Sequence, residues 1–162
     1  MTATEAHSPI GPDYDLPTAA AEFKLGTTSM GDEDSCWVYV QADAGGITGE
    51  GYVVLIDEAF SADMLDTTNS ASGFGQRCGV AKAAFTASYY GWVQVRGVAN
   101  IRVAASAAAN AALNSTATAG QIDDDGTTGA ETIDGIVLTT ANGGSAGTAE
   151  GVLDDPRVGA TL

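Results

Sequence analysis

The sequence predicts an all-β fold: one small β-sandwich or β-barrel-like (β-tulip-type) domain behind an extended N-terminal arm. Three observations predict it. Short runs of β-branched and aromatic residues recur along the chain. Gly- and Asp-rich turns separate them at intervals common in sandwiches and barrels. No amphipathic stretch of ten or more residues offers the crossover helix that a parallel α/β sheet requires. The 162 residues amount to one domain's worth of chain, divided as an arm over 1–22 and a β domain over 23–162.

The arm carries Pro9, Gly11, Pro12 and Pro17, which prevent regular structure. Its spaced apolar residues Ile10, Tyr14 and Leu16 read as anchors that order against a partner surface. Cys36 to Ala42 is the first strand, rich in aromatic and β-branched residues. Gly51 to Asp57 is a continuous apolar run, which predicts burial on both faces. Ala59 to Leu65 suits a helical turn followed by loop. Arg77 to Ala84 reads as a strand.

Tyr90 to Gly97 alternates bulky apolar and polar residues. Val98 to Ala104 follows at once, with Val98, Asn100 and Arg102 on one face and Ala99, Ile101 and Val103 on the other. Gly97 between them marks a bend or bulge. Ala104 to Ala112 has seven Ala in nine positions, but it is short and interrupted by Ser106 and Asn110. It reads as a loop or one helical turn. Leu113–Thr118, Ile133–Thr140 and Thr148–Leu153 complete the strands, and Asp154 to Val158 ends the domain.

Composition limits the function. Six Lys plus Arg against 21 Asp plus Glu give a formal charge of -15. That disfavours nucleic acid and anionic lipid, both of which need a cationic patch. No run of 18 apolar residues suits a membrane span. With 29 Ala, 21 Gly and 18 Thr, the chain predicts a thin core supported by neighbours.

Catalytic and metal-binding motifs are weak. His7 is the one histidine and lies in the arm, so no Ser-His-Asp or Cys-His set is built on the domain itself. Cys36 and Cys78 lack zinc-site spacing and read as free buried thiols. Gly73 to Gly79 departs from a phosphate loop, since Cys78 stands where the third Gly belongs. Asp123-Asp124-Asp125-Gly126 lacks the spaced ligands and closing Glu of an EF-hand and reads as an acidic turn. Asp32-Glu33-Asp34 reads as a solvated loop face. The sequence therefore predicts no enzyme, no cofactor and no metal.

Several phrases together resemble a known family. They are Leu25-Gly26-Thr27-Thr28-Ser29-Met30-Gly31, Trp37 to Ala42, Cys78-Gly79-Val80-Ala81, Tyr90 to Gly97, Thr118-Ala119-Gly120 and Asp134 to Leu138. The string is similar to small head decoration (cement) proteins of tailed bacteriophages, over residues 23–158. The resemblance implies a structural virion protein, made in the bacterial host and placed on the outer surface of the capsid. It implies a homotrimer that clamps neighbouring major capsid subunits and stabilises the mature head. It makes the major capsid protein the partner, with Ile10, Tyr14, Leu16, Phe23 and Leu25 as the arm's contacts.

Trp37, Tyr90 and Trp92 read as core aromatics, and otherwise as interface residues. Arg77, Arg96, Arg102 and Arg157 read as surface residues or as partners in inter-subunit ion pairs. Other readings remain open: a glycan- or receptor-binding module, a phage neck or tail component, or an enzyme using carboxylates alone. Trp92 or Tyr90 exposed beside Asp123–Asp125 in one groove would favour the glycan reading.

Overall fold

A single strand organises the chain. The structure, a computed structural model, describes residues 11–162. Its elements are β1 (Thr28–Met30), β2 (Cys36–Ala42), β3 (Val53–Ile56), β4 (Ser61–Met64), α1 (Thr67–Ser70), β5 (Arg77–Ala81), β6 (Tyr90–Val103), β7 (Asn114–Ser115), β8 (Ile122–Asp123), β9 (Glu131–Leu138) and β10 (Gly147–Thr161). All ten strands join one mixed sheet, so the fold is all-β.

The pairings close two rings, which places the fold on the barrel-like side of the expectation. One ring runs β2–β4–β3–β5–β6 and back to β2. The other runs β6–β8–β7–β9–β10 and back to β6. The long strand β6 belongs to both. Its Tyr90–Arg96 half pairs with β2, and its Arg96–Val103 half pairs with β10.

Gly97 stands at the handover, with φ at +97. The β2 register slips beside it, since Cys36 faces Arg96 while Trp37 faces Gln94. A Cβ at Gly97 would lie 3.0 Å from Ser35 Cα, so both the backbone angle and the space require glycine. The expected bend is therefore a bulge inside one continuous strand.

Each ring has its own core. The first holds Val38, Val40, Val54, Ile56, Ala81, Phe85, Val93 and Val95. The second holds Val53, Leu55, Cys78, Val80, Ile101, Val103, Leu138 and Leu153, among others. β3 is the wall between them. Val54 and Ile56 face one core while Val53 and Leu55 face the other, so the continuous apolar run is buried on both faces.

Several elements differ from expectation. Ser61–Met64 is the strand β4, not a helical turn; its neighbours β2 and β3 supply backbone partners that local propensity cannot register. The helix lies later, at α1, where Asp66 caps Thr68 and Asn69 and the Asn69 side chain returns the bond to Asp66. β1 has no counterpart among the expected strands, and the strand expected over Leu113–Thr118 shrinks to β7.

The Ala104–Ala112 segment is loop, because Ser106 and Asn110 adopt φ of +65 and +58, which no right-handed helix accommodates. β10 continues past Pro156 to Thr161. Its register with β9 shifts between Leu153 and Arg157, so the proline sits in the irregularity, where its missing N–H breaks no regular ladder.

Candidate interaction surface

The outward face of β6 carries Trp92, Gln94, Val98, Asn100 and Arg102 in turn, opposite the inward Val93, Val95, Ile101 and Val103. Different material covers it along its length.

At the start of β6 the cover is aromatic. Trp37 and Tyr39 of β2 lie beside Trp92, and all three are buried. The chain's own N-terminal segment supplies the lid. Tyr14 stacks on Trp37, with centroids 4.4 Å apart and planes at 17°, and meets Trp92 edge-on. The Tyr14 hydroxyl lies 2.8 Å from Ser29 Oγ. Thr18 and Tyr90 exchange two backbone hydrogen bonds of 2.8 Å each. The Glu22 N–H donates to the Tyr39 hydroxyl, and Phe23 sets its ring against Tyr39 and Trp92.

The structure thus places the arm residues in three different situations. Tyr14, Phe23 and Leu25 pack on this aromatic layer within the chain, although Phe23 keeps part of its ring exposed. Leu16 points outward and is 61% exposed. Ile10, like His7, lies outside the described residues.

Beyond the aromatic layer, a cavity of about 310 Å³ opens between the arm, the β1–β2 loop and β6. Asp13, Asp15, Asp32 and Glu33 line it, together with Tyr14, Trp37, Lys82, Gln94 and Val98. The Asp32–Glu33 loop is held by Gly31 and Ser35, whose backbones pair, and by an Arg96–Asp34 ion pair of 2.6 Å.

Further along, the surface turns apolar. Val98 of β6, Val152 of β10 and Val137 of β9 are direct register partners in a row. They are 51%, 41% and 46% exposed. Directly paired side chains on one face touch, so the row is a continuous apolar stripe. Asn100, Glu150 and Thr139 flank it; Thr139 Oγ1 donates to the Glu150 backbone oxygen at 3.0 Å. A second apolar projection is Phe74, 80% exposed on a turn tied down by a Gly75 N–H to Val158 bond and by Arg157 to the Gly75 carbonyl.

Sequence reasoning missed the cavity and the stripe. The signal for the stripe was present, since Val98 falls on the same strand face as Asn100 and Arg102. The cavity had no linear signature, because its walls come from four separate segments.

The other candidates are accounted for within the chain. Arg77 and Arg157 both pair with Asp155, Arg96 pairs with Asp34, and Arg102 lies over the Tyr52 ring at 5.8 Å. Both cysteines are free. Cys78 is buried in the second core and its thiol is pushed up to about 12 by desolvation, while Cys36 is half-buried. The Gly73–Gly79 segment is a turn leading into β5.

Burial raises the Asp123 carboxyl above its ordinary range, against the lowering effect of N–H groups from Asp124 and Asp125. Tyr90 begins β6, whereas Asp123 belongs to β8, whose Ile122 pairs with Val103 at the other end of β6; Trp92 is buried, so the groove that would favour a glycan is not formed. Among the described residues, no three His, Cys, Asp or Glu side chains converge as a metal-ligand set. No protein-family model matches the chain, and no curated protein does so either.

Proposed function

We propose that the chain is a structural virion protein that binds the outer surface of a tailed-bacteriophage capsid and stabilises the mature head, acting as a homotrimer. The observation that carries this reading is the Val98–Val152–Val137 stripe, an apolar strip on a face otherwise polar in a chain of charge -15. Contiguous exposed apolar area rimmed by polar groups suits a protein–protein contact. The resemblance of the sequence phrases to head decoration proteins supports the same class.

The mechanism is linkage. A subunit that binds the mature lattice and not its precursor stabilises the mature state by its binding free energy, repeated at every site. Each contact can be small, because three subunits that engage together raise one another's effective concentration. The strong negative charge keeps unbound copies soluble and apart.

The test is co-sedimentation with purified mature heads. Val152→Asp places a charge at the centre of the stripe without touching either core. It is expected to reduce head binding by at least about tenfold, the effect of desolvating an unpaired carboxylate at a contact. Undiminished binding of this variant would overturn the role of the stripe. Failure of the unaltered protein to bind heads would overturn the capsid reading itself.

A further inference from the structure

We infer that the exposed ring of Phe74 is an assembly anchor, received by the groove between β9 and the 110–113 segment of a second copy of this chain.

The groove exists because two segments part. The Asn110 N–H donates to the Leu138 carbonyl at 3.0 Å, and the Ile133 N–H donates to the Leu113 carbonyl at 2.8 Å. Between these two bonds the chain stands off from β9, after a left-handed turn at Asn110 where φ is +58. The gap is an open groove of about 480 Å³. Ala111, Ala112 and Val137 wall it, and Leu113, Ile133 and Ile136 of the second core close it below. A recess that opens onto core side chains favours an apolar occupant.

Phe74 is the matching projection, 80% exposed. Its turn is braced on both sides. The Gly73 N–H donates to the Ser70 carbonyl and the Gln76 N–H to the Gly73 carbonyl, each at 2.8 Å, and Arg157 Nη1 holds the Gly75 carbonyl at 3.1 Å. The ring is thus presented on a fixed mount, and little freedom is lost when it docks. Aromatic side chains carry the largest apolar area that one residue can bring to an interface.

The occupant is a second copy rather than the chain itself. At this level the molecule runs Gln76, Val158, Ile133, Leu113, each joined to the next by backbone bonds or strand register. The Phe74 turn and the groove therefore lie about 14 Å apart along the sheet, three strand spacings. A ring on a pinned turn does not cross that distance. Projection and recess on opposite flanks make a head-to-tail contact, which builds a ring when the rotation between copies closes.

Charge favours the same pairing. Copies of charge -15 repel one another unless the contact brings cations to anions. Two of the six Lys and Arg side chains, Arg77 and Arg157, attend the Phe74 turn and share the carboxylate of Asp155. Asp134 is the one charged residue lining the groove, and among the described residues its carboxylate makes no ion pair. Its register neighbour Arg157 turns to Asp155 and the Gly75 carbonyl instead. A Phe74 ring entering the groove carries the arginine of its own copy toward this free carboxylate. The inference rests on the homotrimer part of the proposed function and names the contact that builds it.

The test uses the full-length protein alone, by light scattering during gel filtration. The unaltered chain is expected to run as a trimer. Phe74→Ser removes the anchor at an exposed position, and Ala112→Glu fills the groove at another; each is expected to weaken assembly at least about tenfold with the β-sheet circular dichroism retained. Phe74→Tyr is expected to keep the trimer. Phe74→p-benzoylphenylalanine, irradiated, is expected to join covalently to the 110–113 or 132–137 segment of another copy. A monomeric unaltered protein, trimers indifferent to Phe74→Ser, or cross-links to any other segment would overturn the inference. Head binding that persists beside any of these results leaves the capsid reading standing and sinks this contact alone. Phe74-dependent trimers that do not bind heads sink the capsid reading alone.

Discussion

Tyr14 lies flat on Trp37, with ring centroids 4.4 Å apart. Offset aromatic contacts of this kind contribute about 0.5–1.5 kcal/mol beyond area burial. The pair is the clasp by which the N-terminal segment closes over the β2–β6 aromatic layer. Tyr14→Ala is therefore expected to lower stability by about 1–3 kcal/mol in urea denaturation. Removal of residues 1–22 is expected to expose Trp37 and Trp92 and to shift tryptophan emission to the red while the β-sheet circular dichroism persists. An unchanged emission maximum would contradict the clasp.

Arg77 and Arg157 stand directly opposite each other across β5 and β10, and Asp155 is the counter-ion of both. These groups are partly exposed, so each pair is worth at most about 1 kcal/mol. Asp155→Asn leaves two facing cations with no anion between them. Its expected cost is about 1–2 kcal/mol at low salt, shrinking in 1 M NaCl as screening weakens the repulsion. A loss that grows with salt would refute this account.

Cys78 is closed inside the second core, where burial lifts its thiol to about 12. A thiol-reactive reagent at pH 8 is expected to label Cys36 in the native protein and Cys78 only after unfolding. The linkage has a definite sign. In the unfolded chain the thiol loses its proton near its ordinary value of 9.0, while the folded state keeps it to about 12. The unfolded state thus binds fewer protons in that window, and stability falls as pH rises, by up to about 1.4 kcal/mol per pH unit. Cys78→Ala should flatten this slope. A slope unchanged in Cys78→Ala would rule the thiol out as its source.

Gly97→Ala tests the handover in β6. The φ of +97 and the 3.0 Å approach of Ser35 Cα both oppose a side chain. The expected loss is about 1–3 kcal/mol. It should be accompanied by amide-exchange changes on both sides of the bulge; protection lost in one ring alone would argue against a shared strand.

The parts of the fold legible in the sequence were those with a strong local signal. Cys36–Ala42 reads directly as a strand, and the apolar run over 53–56 announces its two buried faces. The alternation across 98–103 gives the correct inward and outward sides of β6. The rest depends on distant partners. β4 forms because β2 and β3 flank it, although it contributes only one fully buried residue, Ala62. β10 passes Pro156 because the proline falls where its ladder with β9 is already broken. The apolar residues of the arm were legible as anchors, but their spacing carried no information about which surface they meet. Tyr14, Phe23 and Leu25 pack on Trp37, Tyr39 and Trp92, more than ten positions away.

The strand shared between the rings makes the molecule indivisible. Two modules joined by a linker can be separated, exchanged or lost one at a time. Here the same fourteen residues complete both closures, so a break at Gly97 leaves two open sheets with bare edges rather than one intact module and one ruined one. Pulling one ring apart strips a wall from the other. Substitution is therefore best tolerated in loops and on outer faces, and any rearrangement that keeps one half must keep the whole.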